Sequence, residues 1–194
     1  MSEFEKALIS AADRFAEAEK SREKAIRMSR EIIRSSKRVI HSAHNGQIDN
    51  VETEKMKELA RALVSDIKEE PSLGCAGPAS DALSEYAEAV ILGDIIFENR
   101  IPSFEDLSID EGSWILGLAD VVGELRRVVL KKLMTGDLDT ATSVFETMEY
   151  IVQSVLMFDV PDAIIPLRRK QDIARGVMER TRSDVATAVV MSKI

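Results

Sequence analysis

Two short strings place acids where a packed helix needs apolar residues. "SEYAEAV", residues 84–90, holds Glu85 and Glu88 three apart, and "SWILGLADVVGELRR", residues 113–127, holds Asp120 and Glu124 four apart. On a helix, either spacing puts both acids on one face. Their neighbours are Leu83, Ala87, Ala89, Val90 and Ile91 in the first string, and Leu118, Ala119, Val121, Val122 and Leu125 in the second. Both pairs are therefore expected to point into an enclosed or semi-enclosed space, where an unpaired carboxylate is costly.

Four acids converging there repel unless they are protonated, matched to basic groups or bound to a cation. A divalent cation is the simplest solution. All-oxygen ligation suits Mg²⁺ or Mn²⁺, and such ions activate water and stabilise charge on a transferring phosphoryl group. Phosphodiester hydrolysis fits that chemistry, with Glu85, Glu88, Asp120 and Glu124 as candidate catalytic and metal-ligating residues. Spacing alone leaves the plainer alternative open, since an acid on a helix is usually solvated. Gly117 and Gly123 flank Asp120 at positions that would let another backbone or a substrate approach closely. Which acid plays which role is not readable from spacing.

The rest of the chain must supply helices to carry these pairs. Nine Gly, five Pro and two Tyr in 194 residues leave little material for hairpins, while the bulk is Leu, Ile, Val, Ala, Met, Glu, Lys and Arg. The expected fold is all-α: one domain spanning residues 1–194, with six or seven helices and a long first helix.

That first helix runs without Pro or Gly from about Glu3 to His44. Ala18, Ala25, Ile26, Met28, Ile32, Ile33, Val39, Ile40 and Ala43 share one broad face of it. Arg27, Arg30, Arg34, Lys37, Arg38 and His41 share the opposite face. Further helices are expected over about Val51 to Glu69, Ala79 to Glu98, Glu111 to Thr135, a start at Asp137 or Asp139 to about Phe158, and a last one to about Val190. A short helical turn is expected near Phe104 to Leu107.

Several classes are excluded. The two histidines, His41 and His44, lie together in "VIHSAHNG", so no Glu-x-x-His di-iron motif exists. A single cysteine, Cys75, rules out an intrachain disulfide and a cysteine-based zinc site. No phosphate loop of the "GxxxxGK" kind is present. No run is long and apolar enough to span a bilayer, and the charged N-terminal residues do not resemble a signal peptide, so a cytoplasmic location is expected. A formal charge of -8 argues against nucleic acid coating the whole surface but leaves room for a local basic stripe.

The strings "SEYAEAV" and "LGLADVVGELRR", followed by "TGDLDT", resemble the translin family, and within it translin-associated factor X. Their order matches the family along most of the chain, as does the long basic first helix. The resemblance implies an all-helical fold, assembly into a hollow oligomer, commonly an octamer, and binding of single-stranded RNA or DNA. For subunits of the factor X type it implies metal-dependent endoribonuclease activity, with the acids at Glu85, Glu88, Asp120 and Glu124. Translin-type subunits typically carry an apolar residue at the position of Asp120. The loop between the two acidic helices is compact here and no long basic extension precedes the first helix, as in single-gene archaeal or bacterial-type relatives; a homo-oligomer is therefore expected.

The basic stripe on the first helix has two readings. Its arginines either meet successive phosphates by bidentate hydrogen bonds or form salt bridges with Glu23 and Glu31 on a solvated face. The resemblance favours RNA binding by Arg27, Arg30, Arg34, Lys37, Arg38 and His41. Arg126, Arg127, Lys131 and Lys132, and again Arg168, Arg169 and Lys170, form further clusters read as surface or subunit interface. Phe15 and Phe97 are expected in the core, and Asp94 at an interface or a cap. Two rival functions remain: a non-catalytic strand-binding scaffold, and an all-α nucleoside triphosphate pyrophosphatase. The latter class pairs "ExxE" with "ExxD", whereas "DVVGE" spaces its acids by four.

Overall fold

A computed structural model describes residues 2–74 and 77–193; Cys75, and with it the expectation about disulfides, lies outside them. The described residues form seven α-helices and no strand: α1 (Glu3–His44), α2 (Asn50–Glu69), α3 (Pro78–Glu98), α4 (Phe104–Leu107), α5 (Glu111–Met134), α6 (Leu138–Leu156) and α7 (Arg168–Met191). A single 3₁₀ turn, Pro71–Leu73, follows α2.

Side-chain caps set most of the helix starts. Ser2 and Glu5 form a capping box at α1. Asp49, Asp110 and Asp137 accept backbone N–H bonds at the starts of α2, α5 and α6. Of the two candidates for the α6 cap, Asp137 is the one used, with Gly136 at φ 77 making the left-handed turn before it. Pro78 occupies the first turn of α3, where its missing N–H costs nothing.

Helices α1, α3, α5, α6 and α7 pack in succession, and α2 lies against α1. Ile32, Met56, Leu63, Ile91, Leu92, Leu125, Met148 and Ile151 are fully buried between them. Helices α3 and α5 come into close backbone contact at Gly117. A Cβ on Gly117 would stand 2.6 Å from the Ser84 carbonyl oxygen and 2.9 Å from the Glu88 nitrogen. Gly117 therefore lets the backbone of α5 press against that of α3, as its position beside Asp120 suggested. Gly123 does not share this role, because nothing lies within 4 Å of the position its Cβ would take.

Only the second half of α1 belongs to this packing. Ala25, Ser29, Ile32, Ser36, Val39 and Ala43 are buried, whereas every residue from 2 to 20 is exposed. Phe15, expected in the core, is 76% exposed, as is Phe4 at 71%; Ala18 is exposed too. The first half of α1 extends beyond the packing that covers the second half, so its apolar side has no partner among the described residues. Phe97 does pack partly buried against the core.

Trp114 braces the loop between α3 and α5. Its Nε1–H donates to the Pro102 carbonyl at 2.9 Å, and its ring meets Phe104 edge-on at 6.1 Å. Asp94 holds the loop that follows α3, its carboxylate accepting from Arg100 at 2.7 Å.

Candidate functional site

The Gly117 contact brings the two acidic strings face to face. Glu85 and Glu88 come from α3, one helical turn apart, and Asp120 and Glu124 come from α5 just beyond Gly117. All four are half-buried. Glu88 sits at the centre, where burial first and then the charges of Asp120, Glu85 and Glu124 push its carboxyl up to about 8. Burial also raises Glu85, with Asp120 adding to the effect while Lys37 and Lys170 oppose it. The fold thus assembles the four expected acids into one electrostatic unit.

The two acids on α5 each hold a base from a distant part of the chain. Lys170, in the first turn of α7, donates to Asp120 Oδ2. His44, at the last position of α1, shares a hydrogen bond with Glu124 Oε2. That bond is the largest influence on Glu124 and holds its carboxyl below the usual range despite burial, with Arg127 assisting at 3.8 Å. His44 is buried, its Nδ1 has no hydrogen-bond partner, and its carbonyl accepts from Lys131 at 2.6 Å. With these bases in place, no three His, Cys, Asp or Glu side chains among the described residues are grouped as a ready metal cluster.

A cavity of about 790 Å³ opens in front of the acids. Glu85, Asp120, Lys37 and Lys170 line it, together with the Ile164–Pro166 segment that leads into α7. Asp81, Asp110 and Asp162 line it too, so among the described residues it carries five carboxylates and two ammonium groups, the latter from α1 and α7. Such a surface offers a phosphate two ammonium groups beside hard oxygen donors.

All six basic residues expected to bind RNA are exposed, but they do not form one free stripe. Arg38 donates from Nη1 to both carboxylate oxygens of Glu52 of α2, each at 3.0 Å. Arg34 pairs with Glu31 at 2.6 Å and Arg27 with Glu23 at 3.7 Å, as the solvated-face reading anticipated. His41 Nε2 lies 3.2 Å from the Asn45 amide. Among the six, Lys37 alone lines the acid cavity. The functional neighbours that sequence reasoning left unassigned are Lys170 and His44. Lys170 left a signal, since "LRRK" puts three cations in the first turn of a helix, against its dipole.

No family model matches the chain. An uncharacterized protein of Methanocaldococcus jannaschii is 35% identical over 176 residues, which cover 89% of this chain and 78% of the relative. Among solved structures, AfC3PO in complex with duplex RNA superposes at a TM-score of 0.86 with 33% identity, covering 95% of this chain and 97% of the other. AfC3PO alone gives 0.86 with 34% identity, over 95% and 98%. Apo-NeC3PO gives 0.83 at 23% identity, which speaks for the fold alone. With a third of its residues identical to AfC3PO over nearly the whole of both chains, this chain belongs to the C3PO (translin) family.

Proposed function

We propose that this chain is a metal-dependent endoribonuclease of the translin-associated factor X type, which binds RNA and cleaves it in single-stranded form. The observation that carries the reading is the convergence of Glu85, Glu88, Asp120 and Glu124 across the α3–α5 contact, where Glu85 and Asp120 line a cavity together with Lys37 and Lys170. Glu88, whose carboxyl is pushed up to about 8 by burial first and then by three neighbouring acids, is the kind of perturbed group that clusters at functional sites.

The donor set is all oxygen, the chemistry that suits Mg²⁺ or Mn²⁺, and a proton on Glu88 and the Lys170 ammonium on Asp120 now supply positive charge that a bound ion would supply in their place. When bound, such an ion polarises a phosphate and generates a nucleophilic hydroxide. Glu85, Glu88 and Asp120 are the acids that would hold it. Glu124, kept ionised by His44, is the acid available to accept a proton from water. Lys37 and Lys170 orient the phosphate and neutralise its charge. The exposed arginines of α1 guide the strand through backbone contacts, without base preference.

The duplex RNA held by AfC3PO supports RNA as the ligand class. Cleavage restricted to single strands is the further step, and it assigns the chain to a closed homo-oligomer, octameric in this reading, whose interior admits flexible strands. The test is cleavage of a labelled single-stranded oligoribonucleotide, and of the same strand in a duplex, with Mg²⁺, Mn²⁺ or EDTA. Metal-dependent cleavage of the free strand is expected. Binding without turnover in any metal would select the scaffold. Release of pyrophosphate from free nucleoside triphosphates would select the pyrophosphatase.

A further inference from the structure

Lys170 stands out because its position is unfavourable for the helix that carries it. Helix α7 begins at Leu167 without a side-chain cap, has no acid in its first turn, and opens with Arg168, Arg169 and Lys170. Cations there oppose the helix dipole, and a helix start normally favours acids. The turn is nonetheless held firmly. Leu167 is 1% exposed, and the Gln171 side-chain amide donates to the carbonyls of Val155 at 2.9 Å and Phe158 at 2.7 Å. A local rule broken inside a well-anchored turn points to a task for the group that breaks it.

That group reaches the centre of the acid site. Lys170 Nζ donates to Asp120 and lies near enough to Glu85 and Glu88 to stabilise their charged forms. Its side chain is partly exposed, at 28%, and lines the cavity with Lys37. Arg168, two residues earlier, turns instead to Asp159 at 3.6 Å.

We propose that Lys170 is a resident cation of the acid site: its ammonium occupies at Asp120 the position a divalent ion takes, and when displaced it engages a non-bridging oxygen of the substrate phosphate. This rests on the metal-dependent reading above. Two consequences follow from charge alone. Ammonium and metal compete for Asp120, so Lys170 weakens metal binding when no strand is present. A phosphate that draws Lys170 away frees Asp120, so strand and metal binding favour one another, and the coupling is reciprocal. Lys170 would thus restrain the unloaded site from capturing ions and serve the phosphate once both are bound.

The experiment is a Mn²⁺ titration followed by the electron paramagnetic resonance of free Mn²⁺, on the parent, Lys170→Met and Lys170→Arg, each checked for folding by circular dichroism. Lys170→Met is expected to bind Mn²⁺ about tenfold more tightly, while Lys170→Arg, which keeps the charge, stays near the parent. At saturating Mn²⁺, Lys170→Met is then expected to cleave a single-stranded oligoribonucleotide more slowly than the parent. Lys170→Gln replaces the Met variant if that one does not fold. Unchanged Mn²⁺ affinity in a folded, uncharged variant would overturn the resident-cation role and leave the nuclease reading intact. Tighter binding with unchanged cleavage would overturn the phosphate contact. Absence of Mn²⁺ binding in every protein would overturn the metal-dependent reading itself, and this inference with it.

Discussion

Glu88 concentrates the electrostatic problem of the molecule in one carboxyl. Its value of about 8 in the folded chain lies well above the ordinary 4.5, so the native state holds a proton that the unfolded chain releases. A carboxyl raised in this way leaves stability whole below pH 4.5 and removes it progressively as pH climbs towards 8. Removing the titration should remove that loss. Glu88→Gln is expected to melt above the parent at pH 8 and to match it near pH 4.5, as followed by thermal denaturation across the range. Equal pH slopes in the two proteins would mean that Glu88 is not the buried neutral acid described here. Glu124 runs the other way, since His44 lowers it, so two acids facing one space are set apart in charge by their partners. This separation could not be read from the sequence. His44 and Lys170 lie 80 and 50 residues from the acids they pair with, and spacing rules reach only one or two turns along a helix.

At the level of the helices, the α3–α5 contact is the element on which the site depends, and Gly117 is its weakest point. A methyl group there would meet both the Ser84 carbonyl and the Glu88 backbone nitrogen, neither of which can swing aside. Gly117→Ala is therefore expected to destabilise the fold by about 1–3 kcal/mol in urea unfolding, the usual cost of overpacking. It should also separate the acid pairs. Gly123→Ala, further along α5 in open space, is expected to stabilise α5 by up to about 1 kcal/mol through helix propensity. Opposite signs at two glycines six residues apart test the packing directly. Helix existence and order were legible because caps and breakers are local: Asp137, Gly136 and Pro78 act where the chain suggests. The acid pairs were legible because a helix converts three- and four-residue spacing into a shared face. The basic stripe of α1 was legible as exposed and as paired with Glu23 and Glu31 along its own helix, but not in the pairing of Arg38, whose partner Glu52 sits on another helix.

For the whole molecule, the protruding half of α1 is the feature that bears on assembly. The buried seam of Ala25, Ser29, Ile32, Ser36, Val39 and Ala43 follows alternating spacings of four and three. The same rhythm continues backwards through Ala18, Phe15, Ala11, Leu8 and Phe4, all of them exposed. Periodicity cannot say whether the partner of such a seam lies in the same chain, which is why Phe15 was expected in the core. The proposed partner is a second copy of this chain. Arg14 and Glu19 flank the seam five residues apart, the spacing at which opposite charges pair between parallel helices. Phe15→Glu is accordingly expected to reduce the oligomer seen by sedimentation velocity while leaving the helical content of each subunit unchanged. An unaltered sedimentation profile would place the subunit contacts elsewhere. If the active interior requires closure, cleavage should fall together with the oligomer.

The account stands or falls on whether the converged acids perform metal-dependent chemistry on RNA. The most direct measurement is the single-turnover cleavage rate of a labelled single-stranded oligoribonucleotide in Mn²⁺, comparing the parent with Asp120→Asn at matched folding and matched strand occupancy. The account predicts cleavage by the parent that EDTA abolishes, and a loss of about a hundredfold or more in Asp120→Asn with the strand still bound. An Asp120→Asn protein that cleaves at the parental rate, or a parent that binds the strand and never cuts it, would contradict it.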